Sequence, residues 1–186
     1  MLDHNQLAGS SHTMQLVRKL SVMLLLAVIT MNAQAKNIYG LHEKVILTEI
    51  NNTQVKAKLD TGAHTSSLGA KILGYFKKDG KEWIRFKPQI KDLDLPVIEK
   101  PIIRYSNIKL RAADIVDSSD KLHTQRPVVM MNLFFAGKDY EIEVNLTDRS
   151  RFNYPLLLGS SALIEFGAIV DPSLKYVANH HYNNNF

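Results

Sequence analysis

The segment Lys58-Leu59-Asp60-Thr61-Gly62-Ala63-His64-Thr65-Ser66-Ser67-Leu68 holds the residues best suited to chemistry. An apolar strand runs into Asp60 and a tight turn follows, in which Gly62 permits a backbone path that a Cβ would hinder. The Thr61 hydroxyl is placed to brace that turn. A carboxylate on so rigid a support suits acid–base work, provided that a second carboxylate stands about 3 Å away and the two share one proton. One then acts as general base on a water, and the other, protonated, donates to a carbonyl oxygen. The chain has a single loop of this kind. Asp117-Ser118-Ser119, Asp148-Arg149 and Asp171-Pro172 offer aspartates without the glycine. A pair therefore requires two copies of the chain, with Asp60 meeting Asp60 on a two-fold axis. The plainer reading of Asp60 is a turn aspartate that caps its own loop.

Other chemistries find less support. The chain has no cysteine, which excludes thiol catalysis and thiolate metal sites. No His-Glu-x-x-His and no Gly-x-x-x-x-Gly-Lys-Ser/Thr pattern is present, so neither zinc nor a nucleotide is expected as cofactor. His180 and His181 are adjacent, in a polar tail, and point in different directions on any regular element.

The elements around the motif read as β. Val45-Ile46-Leu47 and Gln54 to Leu59 flank Asn51-Asn52, a hairpin signal. Tyr75-Phe76 and Trp83 to Phe86 flank Lys78-Asp79-Gly80; Val128 to Phe135 and Tyr140 to Leu146 flank Ala136 to Asp139. Ile142, Val144 and Leu146 alternate with Glu141, Glu143 and Asn145, as a half-buried strand requires. The Tyr75, Phe76, Trp83 and Phe86 group either lines a cleft or packs a hairpin onto a barrel. One helix is expected near 160–167, capped by Ser160 or Ser161, with Ala162, Leu163 and Phe166 as its apolar side and Gly167 as its end. Asp92 to Pro101, with two prolines, reads as a loop or edge excursion.

Composition is that of a globular domain, 45% hydrophobic and 22% charged. The start of the chain reads differently. Arg18-Lys19, the apolar run Leu20 to Met31 and the small-x-small Ala33-Gln34-Ala35 form a secretory signal peptide, cut after Ala35. The expected organisation is a leader or remnant at 1–13, a signal peptide at 14–35, one domain at 36–178 and a polar tail at 179–186. The apolar run is too short to span a bilayer comfortably, so a periplasmic or secreted product with no membrane span is expected. Without Asp3, Arg18 and Lys19 the remainder carries 21 basic and 17 acidic residues, a net charge of +4. No dense basic block points to nucleic acid.

Five blocks in order resemble a known family: Lys58 to Ala63 with Thr65 to Leu68, Gln125 to Val129, Leu146 to Ser150, Tyr154 to Gly159, and Val170-Asp171-Pro172. Over roughly His42 to Val177 the chain resembles the small retropepsin-like aspartic peptidases that carry the label ATP-dependent zinc protease. The resemblance implies an all-β fold, a closed pepsin/retropepsin-type barrel with one short helix. In such folds the Asp-Thr-Gly loop lies against an apolar strand ending in glycine, here Pro155 to Gly159. It implies a homodimeric peptidase acting on a peptide or protein, with Asp60, Thr61 and Gly62 as the catalytic loop. Ala63, His64, Arg126 and Arg149 are its candidate substrate contacts. His64 reads more plainly as an exposed loop residue. Arg126 and Arg149 serve equally as carboxylate anchors or as charges on strand ends. Two positions depart from the retroviral pattern. An aspartate and an arginine pair there beneath the site; here His64 and Ser160 stand in their places, which leaves Thr65, Ser66 or Ser160 hydroxyls to hold the floor. The competing expectation is a binding module on the same barrel, without catalysis, that recognises a peptide or an envelope component.

Overall fold

The computed structural model describes residues 36–109 and 123–178, together with residues 14, 15, 17 and 18, which are helical. The chain divides into two compact units, residues 1–35 and 36–186. The 1–13 leader, most of the 14–35 segment, Asp117-Ser118-Ser119 and the 179–186 tail with its two histidines lie outside the described residues.

The second unit is built of β1 (Asn37–Leu47), β2 (Thr53–Asp60), β3 (Ser66–Lys78), β4 (Lys81–Pro88), β5 (Ile98–Pro101), β6 (Arg104–Lys109), β7 (His123–Phe135), β8 (Lys138–Thr147), β9 (Leu156–Gly159), α1 (Ser160–Glu165) and β10 (Ala168–Lys175). Six strands, in the order β1-β2-β9-β3-β8-β7, close on themselves through Ile46↔Phe134 and Leu47↔Leu133. The unit is an all-β closed barrel with one short helix. β10 adds in parallel to β1, β6 extends β7, and the far half of β3 joins β4 and β5 in a second antiparallel layer.

Turn chemistry accounts for the pairing. Asp79-Gly80 and Ala136-Gly137 both hold two successive residues at positive φ, the geometry that matches the twist of a two-residue hairpin. Asn51 and Asn52, both at φ 51°, turn β1 into β2. Between the turns, strand alternation fills the core with Val45, Leu47, Val55, Ala57, Leu59, Leu68, Val129, Met131, Leu133, Ile142, Val144, Leu146, Leu156 and Leu158. The aromatic hairpin packs on the barrel. Phe86 is fully buried, and Phe76 tilts against Trp83 at 6.1 Å.

One local expectation narrows and another changes. The end of the Asp92–Pro101 stretch is strand β5, paired with β4 from Ile98↔Phe86 to Pro101↔Trp83. Its outer edge has no strand neighbour among the described residues, so the proline withholds no ladder hydrogen bond there. The α1 helix has Gly159 as its N-cap and no side-chain cap. The Ser161 hydroxyl donates instead to the His64 carbonyl at 2.8 Å. Ala162, Leu163 and Phe166 are buried as its apolar side, and Gly167 follows at φ 60°.

Candidate active site

Asp60 is the last residue of β2, opposite Gly159 at the end of β9. Its Oδ1 accepts from the Gly62 amide at 3.1 Å, and its Oδ2 accepts from Lys58 Nζ at 3.3 Å. The Asp60 carbonyl accepts from the Ala63 amide at 3.3 Å, which closes the turn. The carboxylate is thus oriented by its own loop while its side chain stays 28% exposed. Thr61, Gly62 and His64 are exposed and Ala63 is half-buried. The Gly62 and Ala63 amides brace this turn, and Thr61 is exposed.

The floor beneath the loop is made by β9 and α1. Gly159 donates to Ser66 Oγ at 3.1 Å, Ser160 N to the Ala63 carbonyl at 2.7 Å, and Ser161 N to the His64 carbonyl at 3.1 Å. A Cβ on Gly159 would stand 2.6 Å from the His64 oxygen, so only glycine lets these two chains approach. On the β8 side, Asn145 Nδ2 donates to the Ser66 carbonyl at 2.9 Å. The Thr65 hydroxyl accepts from Arg104 Nη2 at 3.0 Å. Thr65 and Ser66 hydroxyls therefore do hold the floor, whereas Ser160 contributes its backbone.

Arg126 and Arg149 are not surface charges. Arg149 is 8% exposed and Arg126 half-buried. Arg149 Nε donates to the Tyr154 carbonyl at 3.2 Å, and its guanidinium lies 4.6 Å from the Phe152 ring centre. Burial, then the Arg126 guanidinium, holds the Arg149 guanidinium below its ordinary range, while the Asp60 carboxylate pulls the other way. Burial lowers Arg126 likewise. Two guanidiniums and the carboxylate thus share one electrostatic neighbourhood. Arg126 Nε, Ser67 Oγ and Asn145 Oδ1 are buried polar atoms with no hydrogen-bond partner among the described residues. Arg149 also lines an open cleft of about 920 Å³ with Lys71, Lys87, Lys91 and Phe152, where Asp92 and Asp94 are the opposing charges.

Sequence reasoning missed Lys58, Arg104 and Asn145. Lys58 sits two residues before Asp60 on the same side of a strand, a spacing that could have found it. Arg104 and Asn145 reach the loop only through pairing between distant strands. Among the described residues no cluster of three His, Cys, Asp or Glu side chains could hold a metal ion.

A closed barrel with one Asp-Thr-Gly loop laid against an apolar-Gly strand defines a retropepsin-like unit. The RimB-like family model, described as retropepsin-like aspartic endopeptidase RimB, matches residues 38–181, and the chain belongs to this family. A crystal structure of a Legionella pneumophila protein of unknown function (DUF785) is 36% identical, with a TM-score of 0.62, over 77% of this chain and 99% of that one. A protein named probable alpha-L-glutamate ligase from Desulfotalea psychrophila is 30% identical over 141 residues, 76% of this chain and 29% of its own length. One of the same name from Shewanella pealeana is 30% identical over 144 residues, 76% of this chain and 30% of its own. The chain thus spans about three-tenths of the length of the curated relatives it matches.

Proposed function

We propose that this protein is an aspartic endopeptidase, exported by its N-terminal signal segment, whose active form is a homodimer with one Asp60 from each copy. The observation that carries the reading is the half-buried Asp60 carboxylate, oriented by the Gly62 amide and seated on a floor of strand and helix backbone. Two such loops facing each other would place two carboxylates around one water, one as base and one as acid. Arg149, which is buried, and the half-buried Arg126, in the electrostatic neighbourhood of Asp60, favour a peptide bearing a carboxylate near the scissile bond. The glutamate ligase named among the relatives makes glutamyl peptides the first substrates to try.

The test is cleavage of glutamate-bearing and neutral peptide libraries from pH 3 to 7, comparing the chain with its Asp60→Asn variant and weighing both in solution. Cleavage that is confined to dimeric samples, resists chelators, prefers acidic peptides and vanishes in Asp60→Asn supports the reading. A folded protein that cleaves nothing at any pH sinks it. The second reading, a binding module without catalysis, draws on the Lys58–Asp60 ion pair, which already occupies one carboxylate oxygen. Peptide binding by a monomer, unchanged in Asp60→Asn, is its signature.

A further inference from the structure

No arginine follows Gly159, where retroviral enzymes carry their loop-bracing cation, but one arrives from another strand. Arg104 lies on β6, whose strand partner is β7. Register sets Arg104 opposite Val128, Val128 opposite Asn145, and Asn145 opposite Ser67 of β3. The side chain leans from this row to the next one on the same face, where Glu143 and Thr65 lie two residues before Asn145 and Ser67. Its Nε donates to Glu143 Oε2 on β8 at 2.8 Å, and Nη2 bonds the same oxygen. The remaining Nη2 proton goes to Thr65 Oγ1 at 3.0 Å. A guanidinium is a rigid fork, so seating one edge on Glu143 aims the next N–H at Thr65. Thr65 is buried and joins the loop to β3.

We propose that Arg104, oriented by Glu143, is a positioning residue that holds the Asp60 loop through Thr65 and thereby sets where the carboxylate stands against the scissile bond. This rests on the peptidase reading. The Arg104 and Glu143 side chains are 37% and 39% exposed, so their ion pair adds little to stability. Its contribution is geometric, and catalysis is sensitive to displacements of about 1 Å.

The experiment uses the full chain with Arg104→Ala, Arg104→Lys, Thr65→Val and the double Arg104→Ala/Thr65→Val. In Arg104→Ala kcat should fall roughly tenfold to a hundredfold, with KM within about twofold of wild type. Thr65→Val should match it, Arg104→Lys should fall between, and the double variant should be no worse than either single one. Backbone amides at 63–65 should exchange with solvent faster in the Ala and Val variants at an unchanged melting temperature. Unchanged kcat in Arg104→Ala, losses that add in the double variant, or unchanged exchange at 63–65 would each overturn the proposal. If the wild type cleaves nothing, the peptidase reading falls by itself, and the exchange measurement still decides whether Arg104 braces the loop.

Discussion

Gly159 and His42 show what single residues do here. Gly159 is required by contact, since a Cβ would meet the His64 carbonyl at 2.6 Å. Gly159→Ala should therefore cost about 1–3 kcal/mol, as overpacking does, and push the Asp60 loop off its floor. A lower denaturant midpoint with a steeper loss of cleavage is the expected result; wild-type values for both would refute the contact argument. His42 stacks on Tyr154 with ring centres 4.3 Å apart, and it pairs across β1 and β2 with Lys58. Burial first, then Lys175 and Lys58, holds its imidazole below the ordinary value of 6.5. The unfolded chain thus takes up this proton first, so the His42 contribution is present above pH 6.5 and is lost as pH falls through the folded-state value. Melting temperature should drop below pH 6.5, before carboxylates titrate, and His42→Phe should flatten that window. An identical slope in the variant would remove His42 as the cause.

At the scale of elements, the barrel is closed by pairing and its end is fastened by one buried side chain. Glu43 on β1 is fully buried. Its Oε1 accepts from the Gly40 amide at 2.6 Å and the Val177 amide at 3.1 Å, and its Oε2 accepts from the Ala178 amide at 3.0 Å. The side chain ties the exit of β10 back to the start of the barrel. Glu43→Ala strands three buried or part-buried donors, and each costs about 1–3 kcal/mol where water cannot replace the acceptor. The expected loss is about 3 kcal/mol in urea unfolding, with protection against proteolysis lost first beyond Lys175. A variant within about 0.5 kcal/mol of wild type would mean that those amides find other acceptors.

At the scale of the whole molecule, the chain holds one carboxylate loop where the proposed reaction needs two. Activity per subunit should therefore rise with protein concentration and level off once dimers dominate, by mass action. Mixing wild type with excess Asp60→Asn should suppress it, because mixed dimers hold only one working aspartate. Constant specific activity on dilution, with a monomeric mass, would reject the shared dyad.

Local grammar was sufficient for the strands and hairpins, while the closed barrel was implied by the family resemblance. Paired asparagines, Asp-Gly and Ala-Gly turns, and alternation in Ile142, Val144 and Leu146 are short-range signals, and short-range sterics decide them. The Asp60-Thr61-Gly62 loop and the apolar strand ending at Gly159 were legible for the same reason. The environment of Asp60 was not. Arg104 on β6 and Glu143 and Asn145 on β8 lie far from Asp60 in the chain, and the burial of Arg126 and Arg149 likewise depends on distant neighbours. A strand pattern states which residues share a face, but not which strand lies beside it. Ser161 reads as a helix cap from its neighbours alone, yet its hydroxyl goes to the His64 carbonyl, which only the β2–β9 pairing brings near. The sequence determined the elements and the chemistry of the central loop. Tertiary pairing decided what holds that loop and which charges surround it, because those contacts join residues whose distance in sequence carries no signal.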